Sequence, residues 1–172
     1  FEHLMSRFDV HLIFRSEYTE VSNISIETNL RNQAVCDFLA GTVSSPSGEG
    51  IMMQKSPTPD ESYDWSGTCI TVPHEFYGDL LTLNFTTPDG DKTITYEHPN
   101  DLIFKSGERT TLYLYVGKDV VVLGGVKVTP WNTKNNCTFQ SEKSSCQDSY
   151  IIHYYKGFVK CKKLLMHKTM SS

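Results

Sequence analysis

The sequence predicts an all-β fold, an antiparallel β-sandwich, on three observations. The 172 residues include 2 Ala against 17 Thr, with 9 Tyr and 9 Phe. Ala is the best helix former, whereas Thr and aromatic side chains suit a pleated surface. Short runs of alternating apolar and polar residues recur along the chain, separated by turn-forming residues. No segment before residue 133 carries an i, i+3, i+4 apolar stripe with caps, so no helix is expected there.

The elements follow in order. Phe8, Val10, Leu12 and Phe14 alternate with mostly polar neighbours, which gives a half-buried first strand over residues 8–15. Residues 21–28 repeat the pattern through Val21, Ile24 and Ile26. A shorter run, 35–39, ends at Ala40-Gly41, and Thr42-Val43 extends it. Residues 44–64 are expected to form a long polar loop rich in Pro and Ser, interrupted only by Ile51-Met52-Met53. The next strand, 69–72, stops at Pro73, which a central strand does not accommodate. Leu81, Leu83 and Phe85 alternate with Thr82, Asn84 and Thr86, and Asp89-Gly90 then signals a hairpin into 93–96. Leu112, Leu114 and Val116 alternate with Thr111, Tyr113 and Tyr115. Gly117-Lys118-Asp119 turns the chain into 120–123, and Gly124-Gly125 marks a bulge before the strand resumes at 126–129.

Charge divides the chain. Residues 1–133 hold nine Lys and Arg against eighteen Asp and Glu, whereas 134–172 hold seven Lys against two acids. The net −4 therefore sums an acidic body and a basic tail. All seven Pro and ten of the eleven Gly precede Asn132. The expected organisation is one domain over 1–132 and a basic, Cys-containing tail over 133–172, disordered or non-native, with no structure assigned. An acidic body argues against a nucleic-acid role, since phosphate contact needs a basic face. No apolar run approaches the roughly 18 residues of a spanning helix. The chain opens on Phe1 with no signal-like segment, so its natural start is expected upstream.

Few constellations carry chemistry. The cysteines are Cys36, Cys69, Cys137, Cys146 and Cys161, and none forms a C-x-x-C pair. Cys137, Cys146, His153, Cys161 and His167 follow no ligand spacing, so no metal or other cofactor is expected. Cys36 and Cys69, both on expected strands, are the candidate disulfide. His74-Glu75 lacks the second His of a zincin, Asp89-Gly90-Asp91 lacks the remaining calcium ligands, and Asp60, Glu61 and Asp64 read as solvated loop carboxylates. The lysines among Phe158, Val159, Leu164 and Leu165 could meet an anionic lipid surface or nucleic acid, but a disordered or non-native appendage is the expected reading. Asn23 and Asn84 head glycosylation triplets inside expected strands, and Asn136 heads a third. No catalytic motif is present, so the chain is expected not to be an enzyme. Tyr63, Trp65, Tyr113 and Tyr115 are the candidate ligand-facing aromatics, with Tyr113 and Tyr115 pointing away from the apolar face.

Several segments, in order, resemble the fimbrillin-like family of bacterial surface proteins. The opening Phe1-Glu2-His3-Leu4-Met5-Ser6-Arg7-Phe8 resembles that family's F-x-H entry into a first strand. Asp37-Phe38-Leu39-Ala40-Gly41 resembles its short strand and turn, and Cys69-Ile70-Thr71-Val72-Pro73 sits where the family has an apolar strand ending in Pro. Phe104-Lys105-Ser106-Gly107 leading into Leu112-Tyr113-Leu114-Tyr115-Val116 is similar to its F-x-x-G strand. Val126-Lys127-Val128-Thr129-Pro130-Trp131 is similar to its closing segment, with Pro130 in place of the usual Asp. The resemblance covers about 1–132. It implies a transthyretin-like sandwich, usually the second of two such domains. It further implies export as a lipoprotein to the outer membrane and a place in or near a surface fimbria. The implied partners are other fimbrial subunits, joined by β-strand addition, and a host or bacterial surface protein or glycan. The implied membrane link is a lipid anchor outside these 172 residues. The alternative is a monomeric, secreted glycan- or protein-binding sandwich.

Overall fold

The computed structural model describes residues 3–58, 60–118 and 120–131, together with the backbone of 150–155 and 158–163. The alternating runs become β1 (Ser6–Phe14), β2 (Ser22–Thr28), β3 (Gln33–Asp37), β4 (Thr42–Ser47), β5 (Ile51–Met52), β6 (Gln54–Lys55) and β7 (Trp65–Thr71). The long strands β8 (His74–Thr87), β9 (Gly90–Phe104), β10 (Glu108–Gly117) and β11 (Val120–Pro130) follow. One sheet runs β11-β10-β1-β7-β6 and the other β5-β2-β8-β9, while β3 and β4 pair only with each other.

Both sheets turn their apolar faces to one core. Phe8, Val10 and Leu12 of β1 and Leu112, Leu114 and Val116 of β10 meet Ile26 of β2, Leu81, Leu83 and Phe85 of β8, and Phe104 of β9. Phe8 is fully buried and sets its ring edge-on to Phe104 at a centroid distance of 5.6 Å, and Phe14 meets Phe85 likewise at 5.2 Å. Each such side chain contributes about 1.5–3 kcal/mol by leaving water. This all-β, two-sheet arrangement around a shared core is consistent with a β-sandwich. It is not wholly antiparallel, however. β1 lies between β7, antiparallel, and β10, parallel, with Phe8 opposite Thr110 and Leu12 opposite Leu114. Alternation along one strand reports which face is buried and is blind to the direction of a neighbour.

The segment 44–64 also departs from the expected loop. Its apolar patch adds β5 to the edge of β2, and β6 two residues later pairs with β7 of the other sheet. Met53 lies at the crossing, buried, its N–H donating to Ile26 O at 2.8 Å. Two-residue strands are too short to leave a period-2 pattern in the sequence. The Asp89-Gly90 hairpin forms as expected, with Thr87 opposite Gly90 at φ +115°. β9 lies at a sheet edge, which accommodates Pro99.

Opening and closing landmarks of the chain converge. His3 stacks on Trp131 with centroids 4.0 Å apart, Gly107 N–H donates to Met5 O, and Trp131 N–H donates to Gly107 O. Gly107 holds φ +71°, a left-handed conformation that glycine adopts without penalty. The His, the Gly and the Trp are thus one structural knot joining strand entry to strand exit.

In the tail, where no structure was expected, β12 (Tyr150–Tyr155) and β13 (Phe158–Lys163) pair with each other in a separate two-stranded sheet. The side chains of Cys137, Cys146, His153, Cys161, His167 and the tail lysines, and the Asn136 triplet, lie outside the described residues. Among the described residues no helix is long and apolar enough to cross a membrane.

Candidate functional site

The outer face of the five-stranded sheet is built by the residues that alternate with the core. On β1 these are Arg7, Asp9, His11 and Ile13, and on β10 Arg109, Thr111, Tyr113 and Tyr115 stand opposite them in register. Asp9 is buried although it sits on this face. Arg7 Nε donates to its Oδ1 at 2.8 Å and Arg109 Nε donates to its Oδ2, so both oxygens accept charge-assisted hydrogen bonds.

Beyond this ionic clamp the face becomes aromatic. His11 stacks on Tyr63 at a centroid distance of 4.4 Å and on Tyr113 at 5.3 Å, with interplanar angles of 26° and 19°. Tyr63 arrives from the loop between β6 and β7, which is fixed by local hydrogen bonds. Asp60 Oδ1 accepts from Ser62 N–H at 2.9 Å, Asp60 O accepts from Tyr63 N–H at 3.0 Å, and Asp64 N–H donates to Leu12 O at 3.0 Å. Asp64 Oδ2 also accepts from Phe14 N–H at 2.7 Å, which staples the loop to β1. The hydrogen bonds from Ser62 hold the Asp60 carboxyl below its ordinary range. Burial lowers the His11 imidazole, opposed by the nearby Asp9, and its Nδ1 lies 2.7 Å from Ser66 Oγ. Burial, followed by Tyr113 and Asp60, raises the Tyr63 phenol.

Tyr115 completes the face. It is 40% exposed and lies over Gly124, where an added Cβ would come within 2.6 Å of Tyr115 Cε2 and 3.1 Å of Tyr113 O. Gly124 and Gly125 together oppose Tyr113, the bulge expected from the sequence, and their missing side chains leave room for both rings. The result is a groove of about 340 Å³ lined by His11, Ile13, Ser62, Tyr63, Tyr113 and Tyr115.

The structure therefore gathers three of the four nominated aromatics, Tyr63, Tyr113 and Tyr115. Trp65 is not among them. It is 3% exposed, pairs with Leu12 on the core face of β7, and lies across Gly67, where a Cβ would stand 2.1 Å from its ring. The glycine two residues on, on the same strand face, is the sequence signal for that burial. Cys36 and Cys69 are also not joined, and both are free thiols. Cys69 faces the core on β7, where burial pushes its thiol up to about 12, while Cys36 sits half-buried on the separate β3–β4 hairpin. Strand membership alone says nothing about which sheet or layer a cysteine occupies. His11 and Ser62 are not evident as site residues in the sequence, and Gly124 is evident only as part of a bulge; the period-2 partner of Asp9 on β1 is the available signal for His11.

Asn23 and Asn84 do lie in β2 and β8, and Asn84 Oδ1 accepts from Thr93 Oγ1 at 2.7 Å. His74 is tied to backbone on both sides, with Nδ1 2.7 Å from Val72 O and Nε2 accepting from Arg31 N–H at 3.4 Å. Among the described residues no group of three or more His, Cys, Asp or Glu is placed to hold a metal ion.

Comparison with known proteins gives the wider context. No curated protein sequence matches the chain. A candidate cell adhesion protein of Bacteroides uniformis shares its fold at TM-score 0.55 and 16% identity, over 76% of this chain and 52% of that one. A candidate cell adhesion protein of Bacteroides ovatus gives TM-score 0.48 at 12% identity, over 76% and 46%. The tip fimbrial protein Mfa3 of Porphyromonas gingivalis gives 0.43 at 9%, over 76% and 52%. The chain thus spans about half the length of these solved proteins. The profile of the Fimbrillin-like family matches residues 1–131, and the chain belongs to that family.

Proposed function

We propose that this chain is a non-catalytic domain of a cell-surface fimbrial subunit or adhesin-type protein, assembling by β-strand addition between subunits. The body over 1–132 is then a transthyretin-like sandwich, and 133–172 a separate appendage. The observation that carries this reading is the family match across residues 1–131. The partners are neighbouring subunits and a surface protein or glycan, and the location is the outer membrane or cell surface, reached through a lipid anchor outside these residues.

β11 supports the assembly mode. It ends the five-stranded sheet, and its backbone edge beyond β10 has no strand partner among the described residues. Val126 and Val128 pair with the buried Leu112 and Thr110, so they point toward the core layer, yet they are 42% and 51% exposed. An added strand would pair with the free main-chain groups and cover these valines. The test is native electrophoresis of the full precursor with its processing protease. A ladder is expected, and Val126→Lys with Val128→Lys should abolish it while monomer remains folded. Monomer alone from the unmodified precursor would refute strand addition.

A second reading, a monomeric secreted glycan- or protein-binding module, is favoured by the aromatic groove. It predicts binding by monomeric protein with no ladder.

A further inference from the structure

The aromatic groove restricts what can occupy it. Its lining residues are aromatic, hydroxylic or aliphatic, and no carboxylate, ammonium or guanidinium is among them. Asp9, Arg109 and Asp60 all act on His11 from beside the groove, so charges of both signs surround it and none lines it. A charged ligand therefore finds no direct ionic partner inside the groove. The rings do not form a cage around a point either. His11, Tyr63 and Tyr113 turn their faces on one another, with the Tyr63–Tyr113 centroids 5.9 Å apart and tilted by 38°. That leaves the half-exposed Tyr115 ring, held down on the Gly124 backbone, as a flat platform. Ser62 and the phenol groups supply hydroxyls around it, and pairing of His11 Nδ1 with Ser66 leaves Nε2 for a ligand.

A flat apolar platform bordered by neutral donors and acceptors matches a disc-shaped molecule with C–H groups on its face and hydroxyls on its rim. The axial C–H groups of a sugar ring meet the negative face of a phenol favourably. We propose that this groove binds a neutral pyranose unit of a glycan, with Tyr115 as the stacking platform and His11, Ser62 and Tyr113 as its polar rim. The proposal rests on the adhesin reading and gives it a ligand class. A volume of about 340 Å³ lies at the small end of the range for ligand sites and suits a short saccharide. The scaffold is preorganised, because the loop carrying Tyr63 is stapled to β1 and Tyr115 rests on backbone.

The test is titration calorimetry of the full chain with neutral oligosaccharides of galactose, mannose and N-acetylglucosamine. N-acetylneuraminic acid and tetramethylammonium serve as the anionic and cationic comparisons. At least one neutral sugar is expected to bind in the millimolar range or better, with both charged probes weaker. Tyr115→Ala should weaken that binding about tenfold, the worth of a good stacking contact. Tyr115→Phe should recover most of it, which separates stacking from misfolding. Failure of every neutral sugar to bind, binding unchanged in Tyr115→Ala, or preference for tetramethylammonium would each overturn the proposal. Ladder formation in the precursor assay reports separately on the fimbrial-assembly reading, so failure of one is distinguishable from failure of the other.

Discussion

Replacing Gly124 by Ala tests how the groove is built. Gly124 has no positive φ, so an L-residue meets no backbone penalty there, and the outcome depends on space alone. The new Cβ would lie 2.6 Å from Tyr115 Cε2, 3.2 Å from Cδ2 and 3.1 Å from Tyr113 O. Carbon atoms rest at about 3.5–4.0 Å, so the ring edge has to retreat by roughly 1 Å. Tyr113 O belongs to the β10 backbone and yields little. Overpacking of this kind costs about 1–3 kcal/mol. The loss of glycine freedom in the unfolded chain returns about 0.4–1 kcal/mol. The net expectation is destabilisation by about 1 kcal/mol, or a fall in Tm of about 3–5 °C for a body of this size. Gly125 supplies the control. Its nearest non-neighbour is Tyr113 Cδ2 at 3.9 Å, an ordinary contact, so Gly125→Ala keeps only the entropic gain and should raise Tm by about 2–4 °C. Thermal melts by far-ultraviolet circular dichroism measure both. In a double-mutant cycle, Tyr115→Ala should remove most of the penalty at Gly124 by removing the ring. Equal stability of the two alanine variants, or no coupling to Tyr115, would refute this account of the groove.

Three further outcomes are expected. Phe8→Ala removes a fully buried ring joining the two sheets and should cost about 3–5 kcal/mol in urea unfolding; a loss below about 2 kcal/mol would show that Phe8 does not anchor the core. His11, His74 and His98 are each lowered by burial, so the folded chain binds fewer protons than the unfolded one below the ordinary His value of about 6.5. Stability should therefore fall as pH drops through about 6.5 toward the folded values, and a urea midpoint that rises between pH 7 and pH 5 would contradict this. Thiol labelling followed by peptide mapping should modify Cys36 in the native protein and Cys69 only after unfolding; recovery of a Cys36–Cys69 linked peptide would overturn their assignment as free thiols.

The sequence was most legible where one physical rule acts along one strand. Period-2 alternation placed β1, β8, β10 and β11 because each buries a single face, and Asp89-Gly90 placed a hairpin because glycine reaches φ +115° freely. Extensions of β8 and β9 past Gly78 and Pro99 were not legible, since bulges between Phe76 and Gly78 and between Asp79 and Leu81 break the alternation. The parallel pairing of β1 with β10 depends on residues about a hundred positions apart and leaves no local trace. For the site, Tyr113 and Tyr115 were legible from their phase against Leu112 and Leu114. Trp65 is buried because it shares the strand phase of Cys69, with Gly67 between them, a signal that aromatic content alone does not carry. Tyr63 came from composition alone, and only the Asp60 and Asp64 hydrogen bonds explain why it folds over His11.

The Gly124-Gly125 bulge links the two faces of the molecule that the functional reading needs. Before it, Val121 and Leu123 pair with Val116 and Leu114 and face the core; after it, Val126 and Val128 do so, although an uninterrupted alternation from Leu123 would have turned them outward. The single extra residue therefore restores the apolar phase on the core side, where those valines remain partly uncovered at the open edge. On the outer side the same two residues bring no side chain, and that gap admits the rings of Tyr113 and Tyr115. Deleting Gly124 leaves Leu123 opposite Leu114, Gly125 opposite Tyr113 and Val126 opposite Leu112, so the valines keep their core-side phase while the two-glycine gap under Tyr115 shrinks to one residue. The groove should then fail while the edge stands, as is expected also for Gly124→Ala. Ladder formation retained with sugar binding lost in both variants would separate the assembly surface from the binding surface within one strand, and loss of the ladder in either would refute that separation.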